Sequence, residues 1–289
     1  MVRFNVFSIS RRRIFLLLAS AMLFALAIWI LNDVLPYQNF WYQFEFEPDI
    51  GTYFCEKTFM EKIVRQPINT FSNFFYFMAG VAILRRGWKD QSKRQRYNII
   101  SANPFYSIAY GFILVYTFAA STIFHSSLIY FTGKLDYSAV YSLALFPLMY
   151  FSHRFWLHTI GVPSNVKHTK STTTVITVFT GLYIWLTFFL PPGWGHTSVL
   201  TIIGVLIVFG FIMEMRDPDK TNKRYLLTCI IAILIAVVWF AFDVKKILCN
   251  PDSVIQPHSL WHFFASVSAF YFYMYIRSEK NPNFKKEGA

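Results

Sequence analysis

Five polar residues stand where apolar stretches begin or end: Ser121 and His125, then Asp136, then His258 and His262. The local sequences are Ser121-Thr-Ile-Phe-His125 and His258-Ser-Leu-Trp-His262, and Asp136 follows His125 after a short turn containing Gly133. Ionisable groups are expensive at membrane depth, so by default they mark a functional site. Three imidazoles, a carboxylate and a hydroxyl are the ingredients of a catalytic zinc centre with one open position. On this reading His125, His258 and His262 bind Zn²⁺ as neutral imidazoles. Asp136 takes a proton from water and passes it to the leaving group. Ser121, one helical turn below His125, orients a ligand or donates to a developing oxyanion.

Each piece alone is weak. A His-x3-His pair places two rings on one helix face, yet most such pairs bind no metal. A lone Asp at a helix start is more often an N-cap, and a lone Ser more often bonds back to its own helix. The combination at one depth carries the specificity, and depth follows from the elements that hold these residues.

The chain has 289 residues, of which 55% are hydrophobic and only 15% charged. That composition excludes a soluble globule and a disordered chain and points to a polytopic membrane protein. Charged residues gather between apolar stretches of roughly 18–22 residues, the length a helix needs to cross the hydrocarbon core. Eight candidate spans cover about 14–32, 67–84, 103–125, 135–151, 172–190, 198–215, 225–242 and 258–276. Alternate loops then divide the 27 Lys and Arg residues into 21 on one side and 6 on the other. Basic residues accumulate in cytosolic loops, so both termini are expected inside. The same bias accounts for the net charge of +12 without nucleic acid, for which the chain has no motif.

The fold expected is an all-α membrane protein, a seven-transmembrane helix bundle with an extra N-terminal anchor. Residues 1–33 form the basic N-terminus and anchor, 34–66 an extracytosolic cap, 67–277 the bundle and 278–289 a basic cytosolic tail. The first span also resembles a signal peptide, with Arg11-Arg12-Arg13 before it and Ala25-Leu-Ala27 within. Its apolar stretch runs on through Ile28, Trp29, Ile30 and Leu31, which suits an uncleaved anchor better. In this topology Ser121, His125, Asp136, His258 and His262 all fall within the outermost turns of three helices. His153, His158 and His168 fall in a charged cytosolic loop and are expected to be solvated, and His196 lies in an outer turn apart from the metal set. Of the three cysteines, Cys55 and Cys249 lie outside and Cys229 within a span, so topology permits only the Cys55–Cys249 pair.

The pattern Ser-x3-His, x10-Asp and a final His-x3-His resembles that of the alkaline ceramidases, within a superfamily of seven-helix hydrolases that includes adiponectin-receptor-like proteins. Cys55-Glu56 followed by Pro67-Ile-Asn69-Thr-Phe-Ser72-Asn73 is similar to the ceramidase N-terminal signature. Phe242-Asp243 ahead of Cys249 is similar to the family segment before its last loop. The resemblance spans about Cys55 to Arg277. It implies a zinc amidase cleaving ceramide to sphingoid base and fatty acid, roles for the five residues as above, and a disulfide equivalent to Cys55–Cys249. Animal members of the family also carry an acidic calcium site near the Cys-Glu motif. Here Gln66 and Thr58 stand where ligands are expected, leaving Glu56 as the only matching acid. Ca²⁺ wants six to eight oxygens, several of them charged, so a calcium site is doubtful. A changed lipid could also be cut on the same fold. An esterase remodelling phospholipids, or a seven-helix lipid receptor with a structural metal, are the alternatives. The membrane is either a bacterial inner membrane or an endomembrane.

Overall fold

In lipid no water is available to satisfy the backbone, so a chain this apolar closes its hydrogen bonds within helices. A computed structural model describes residues 11–35, 40–44, 53–91, 99–160, 169–190, 194–216 and 221–279. Its helices are α1 (Arg11–Trp29), α2 (Pro67–Ser72), α3 (Phe74–Gln91), α4 (Ile99–Ala102), α5 (Phe105–Ser127), α6 (Tyr130–Ile160), α7 (Thr169–Phe188), α8 (Gly195–Arg216), α9 (Lys223–Val244) and α10 (Pro257–Arg277). Among the described residues, five helical segments are long and apolar enough to cross a membrane: Phe15–Val34, Pro67–Gln91, Phe105–Ser127, Gly195–Arg216 and Lys223–Val244. In α7 the apolar stretch is shorter, Val175–Phe188. The protein is an all-α membrane protein.

Helix α10 packs along α9 and against α3, while α5 lies between α3 and α6, and α6 contacts α7 and α8. Aromatic rings fill the centre, with Tyr110 stacked on Phe146 at 4.5 Å and Phe151 edge-on to Phe272 at 5.6 Å. Such offset and edge-to-face pairs add to simple area burial. Helix α1 stands at the rim. Phe15, Leu16, Leu18, Met22 and Leu23 are exposed, and its Phe24 ring packs on Phe71, Phe74 and Phe118. An outward apolar face is what lipid contact requires.

Helices α3 and α5 approach through glycine. A Cβ at Gly111 would lie 2.6 Å from Leu84 Cγ, and one at Gly80 would lie 2.9 Å from the Gly111 carbonyl oxygen. Small residues allow this close backbone approach. Gly111→Ala is therefore expected to lower stability by about 1–3 kcal/mol, as overpacking does. A thermal melt in detergent checks it, and an unchanged Tm would show that the two helices part without cost.

Two expectations about α6 are corrected. The turn after α5 is made by Leu128, whose φ of 52° is left-handed and whose N–H donates to Phe124 O at 2.7 Å. Gly133 is thus inside α6, and Asp136 sits in its second turn rather than at its start. The helix also continues past Pro147 to Ile160, so His153 is helical. It is buried and hydrogen-bonded to the Tyr106 hydroxyl rather than solvated, because the bundle extends beyond the expected end of the span. His168 and the His158 side chain lie outside the described residues.

The segment before α2 closes one end of the bundle. Cys55 and Cys249 are joined, with their Cα atoms 5.5 Å apart, tying this segment to the α9–α10 loop. The last carbonyls of α5 have no partner within their own helix. Gln66 N–H donates to His125 O at 3.1 Å, Arg65 N–H to Ser126 O at 3.1 Å and Arg65 Nη1 to Ser127 O at 2.7 Å. A cation there also suits the negative end of the helix dipole.

Candidate metal centre

Helix α10 starts sharply at the site. Pro257 occupies its first turn, Gln256 N–H donates to Ser259 Oγ at 3.2 Å, and Gln256 Nε2 donates to Ser253 O at 2.7 Å. This start fixes His258 and His262 on one face, one turn apart. His125 comes from the last turn of α5. The three rings meet, with centroids 4.9 Å apart for His125–His258, 5.2 Å for His125–His262 and 4.6 Å for His258–His262. All three histidines are buried, and one ligand atom from each lies within 4.8 Å of the others. Three imidazoles this close cannot all be cationic without strong repulsion.

Each ring turns its Nδ1 toward a polar group, two of them hydrogen-bonded and His258 in ion-pair contact only. His125 Nδ1 is 2.8 Å from Gln66 Oε1, His262 Nδ1 is 2.7 Å from Ser72 Oγ, and His258 Nδ1 is 3.2 Å from Asp243 Oδ2. Ser72 itself donates to Asn69 O at 2.7 Å, so its oxygen is free to accept from His262. Gln66 Nε2 donates to Thr58 Oγ1 at 3.2 Å and Asn69 Nδ2 donates to Gln66 Oε1 at 3.3 Å, which orients the amide with its oxygen toward His125. Protons on the three Nδ1 atoms leave the three Nε2 lone pairs for a common ligand. His125 Nε2 is in fact buried with no hydrogen-bond partner. A buried polar atom left unpaired costs about 1–3 kcal/mol, a cost that a metal at this point would remove. The cluster fits a divalent cation that prefers nitrogen ligands.

Asp136 faces this cluster from α6. Ser121 and His258 lie within its electrostatic reach. It is half-buried, and its Oδ1 has no partner. Phe54 walls the site, its ring 4.9 Å from His125 and 4.6 Å from His258. The five residues expected from the sequence are thus brought together. His196 is not part of the cluster; its Nε2 pairs with the Tyr137 hydroxyl at 2.9 Å.

This arrangement, three buried histidines with a carboxylate and a serine beside them, is matched by family: residues 50–287 fit the Ceramidase family. The chain belongs to the ceramidase family. No curated protein matches it. Membership supports ceramide hydrolysis in general, and hence a hydrolase acting on an amide in a membrane lipid.

Gln66, Ser72, Asp243 and Phe54 have functional positions that sequence reasoning did not assign. Ser72 and Asp243 were visible as parts of family-like segments, and Gln66 as a lost calcium position, but their contacts with the histidines come from packing. One signal was available for Asp243. It is an acid at the C-terminal end of a helix, where the dipole disfavours it, so it needs a partner.

Proposed function

We propose that the protein is a membrane-embedded, zinc-dependent amidohydrolase that cleaves the N-acyl bond of ceramide or a closely related lipid. The observation that carries this reading is the set of three buried imidazoles whose ligand atoms lie within 4.8 Å of one another, beside an under-bonded carboxylate. His125, His258 and His262 would hold the metal through Nε2, the donor set preferred by catalytic Zn²⁺. When bound, Zn²⁺ supplies a Lewis acid that polarises the amide carbonyl and lets water attack near neutral pH.

The chain's own groups handle the proton and the substrate. Asp136 takes a proton as the water oxygen bonds to the carbonyl carbon, and gives it to the amide nitrogen as the C–N bond breaks. The products are a free fatty acid and a sphingoid base. Ser121, beside Asp136, orients the carboxylate and donates to oxygen as negative charge develops. An apolar cavity lies within the bundle, bordered by Tyr76, Val140, Phe151, Trp261 and Phe272. The Tyr76 ring is 6.0 Å from that of His262. A space of this kind suits an acyl tail with its amide presented to the histidines. The basic-residue bias supports placing both termini in the cytosol and the site toward the outer face. In this reading residues 34–66 cap the bundle formed by 67–277, and 278–289 form the cytosolic tail.

Calcium has no place in this reading. Glu56 Oε1 accepts from Ile68 N–H at 2.7 Å and Oε2 from Asn69 N–H at 2.8 Å, so both oxygens serve the start of α2. Burial, helped by the nearby Asp243 charge, pushes the Glu56 carboxyl up to about 7 against these two donors. Thr58 and Gln66 are bonded to each other. Hydrolysis is expected to proceed unchanged in EGTA, and a rate that depends on added Ca²⁺ would refute this account of the cap.

The test of the function is to incubate purified protein with a panel of labelled N-acyl and O-acyl lipids and identify the released fatty acid. Cleavage of ceramide is expected. Efficient ester cleavage with no amide cleavage would instead make the protein an esterase.

A further inference from the structure

Asp243 closes helix α9 with its side chain only 1% exposed. A lone carboxylate in that position is disfavoured by burial and by the helix dipole. Two contacts compensate. Its Oδ1 accepts the Cys55 N–H at 2.8 Å, and its Oδ2 lies 3.2 Å from His258 Nδ1. The Cys55 donor is itself held by the disulfide to Cys249, on the loop that joins α9 to α10. The carboxylate is thus fixed by one oxygen and aimed by the other.

We propose that Asp243 is a positioning residue that locks His258 in the tautomer with its proton on Nδ1, and so sets the affinity of the site for its metal. The proposal rests on the reading of the three histidines as metal ligands. A neutral imidazole offers one nitrogen lone pair, so Nε2 can bind a cation only while Nδ1 carries the proton. An ionised carboxylate accepts and never donates, which makes the Nδ1–H form the one it stabilises. His125 and His262 face the neutral acceptors Gln66 and Ser72, so Asp243 is the one anion in ion-pair contact with a ring of the cluster among the described residues. Its charge also offsets part of the positive charge a divalent cation would bring.

The contact with Cys55 makes the test sharp. In Asp243→Asn, an amide oxygen left on the Cys55 N–H puts the NH₂ against His258 Nδ1, which drives the ring proton to Nε2. The flipped amide restores the acceptor to His258 but sets NH₂ against the Cys55 N–H. While Nδ1 keeps its proton, either orientation opposes donor to donor, although the shape is kept. Asp243→Ala removes the acceptor without adding a donor.

Zinc affinity would be measured by competition with a chromogenic chelator on full-length protein in detergent. Non-reducing peptide mapping and the Tm of the zinc-free protein would verify that each variant is folded and disulfide-bonded. Asp243→Asn is expected to weaken zinc binding by about 10–100-fold, the usual cost of losing such a partner, and by more than Asp243→Ala. Folded Asp243→Asn with wild-type zinc affinity would overturn the proposal. So would an Asn variant that binds more tightly than Ala, the order expected if Asp243 only filled space. If wild-type protein bound no zinc, the metal reading itself would fail, and that result is distinct from either of these.

Discussion

Protein carrying His258→Ala or His262→Ala is expected to be purified with most of its zinc missing and its ceramide hydrolysis reduced to background. Both residues project from the first turns of α10, and each supplies one of three nitrogens that lie within 4.8 Å of one another. Three ligands are the minimum for a catalytic zinc site, so removing one leaves two nitrogens and weak binding. The loss should not reflect unfolding. The start of α10 is fixed by Pro257, Gln256 and Ser259, and the disulfide holds the preceding loop. Metal analysis of the purified variants reads the result directly. A double variant with wild-type zinc content would exclude these residues as ligands.

Asp136→Asn is expected to retain zinc and lose activity by about 10²–10⁴-fold, the usual contribution of a positioned general acid–base group. Asn keeps the size of the side chain and an oxygen for Ser121, but cannot carry a proton between water and leaving nitrogen. The split between metal content and rate is the informative part. Loss of zinc together with activity would show instead that Asp136 binds the metal or holds the fold. Loss of the acid limb of the pH–rate profile, with zinc unchanged, is the pattern of a removed proton carrier.

The site was legible in the sequence wherever local spacing carried it. His258 and His262 share a face because they are four residues apart, and His125 and Ser121 do so for the same reason. Their convergence is what the alternation of loops expected from the basic residues implies. Asp136 lies near Ser121 and His258 although its helix begins earlier than its hydropathy suggests. Lys134 and Gly133 read as a turn, while the left-handed turn is at Leu128, an apolar residue with no turn signature. The three groups that hold the rings were not legible as such. Gln66, Ser72 and Asp243 come from separate segments, and only packing brings them to the Nδ1 atoms. His153 was misread because a polar run after Phe151 looks like a loop, whereas the bundle continues far enough to bury it against Tyr106. The cysteine pairing was accessible because side and depth removed Cys229 from the choice.

If these histidines hold a zinc ion, amide cleavage depends on it. The most direct measurement strips the purified protein of metal, titrates it with Zn²⁺, and follows fatty acid released from labelled ceramide at each addition. Negligible cleavage is expected in the metal-free protein, with a rise that saturates at about one zinc per chain. Cleavage that persists at full rate without metal would contradict that dependence, as would full zinc loading with no release of fatty acid.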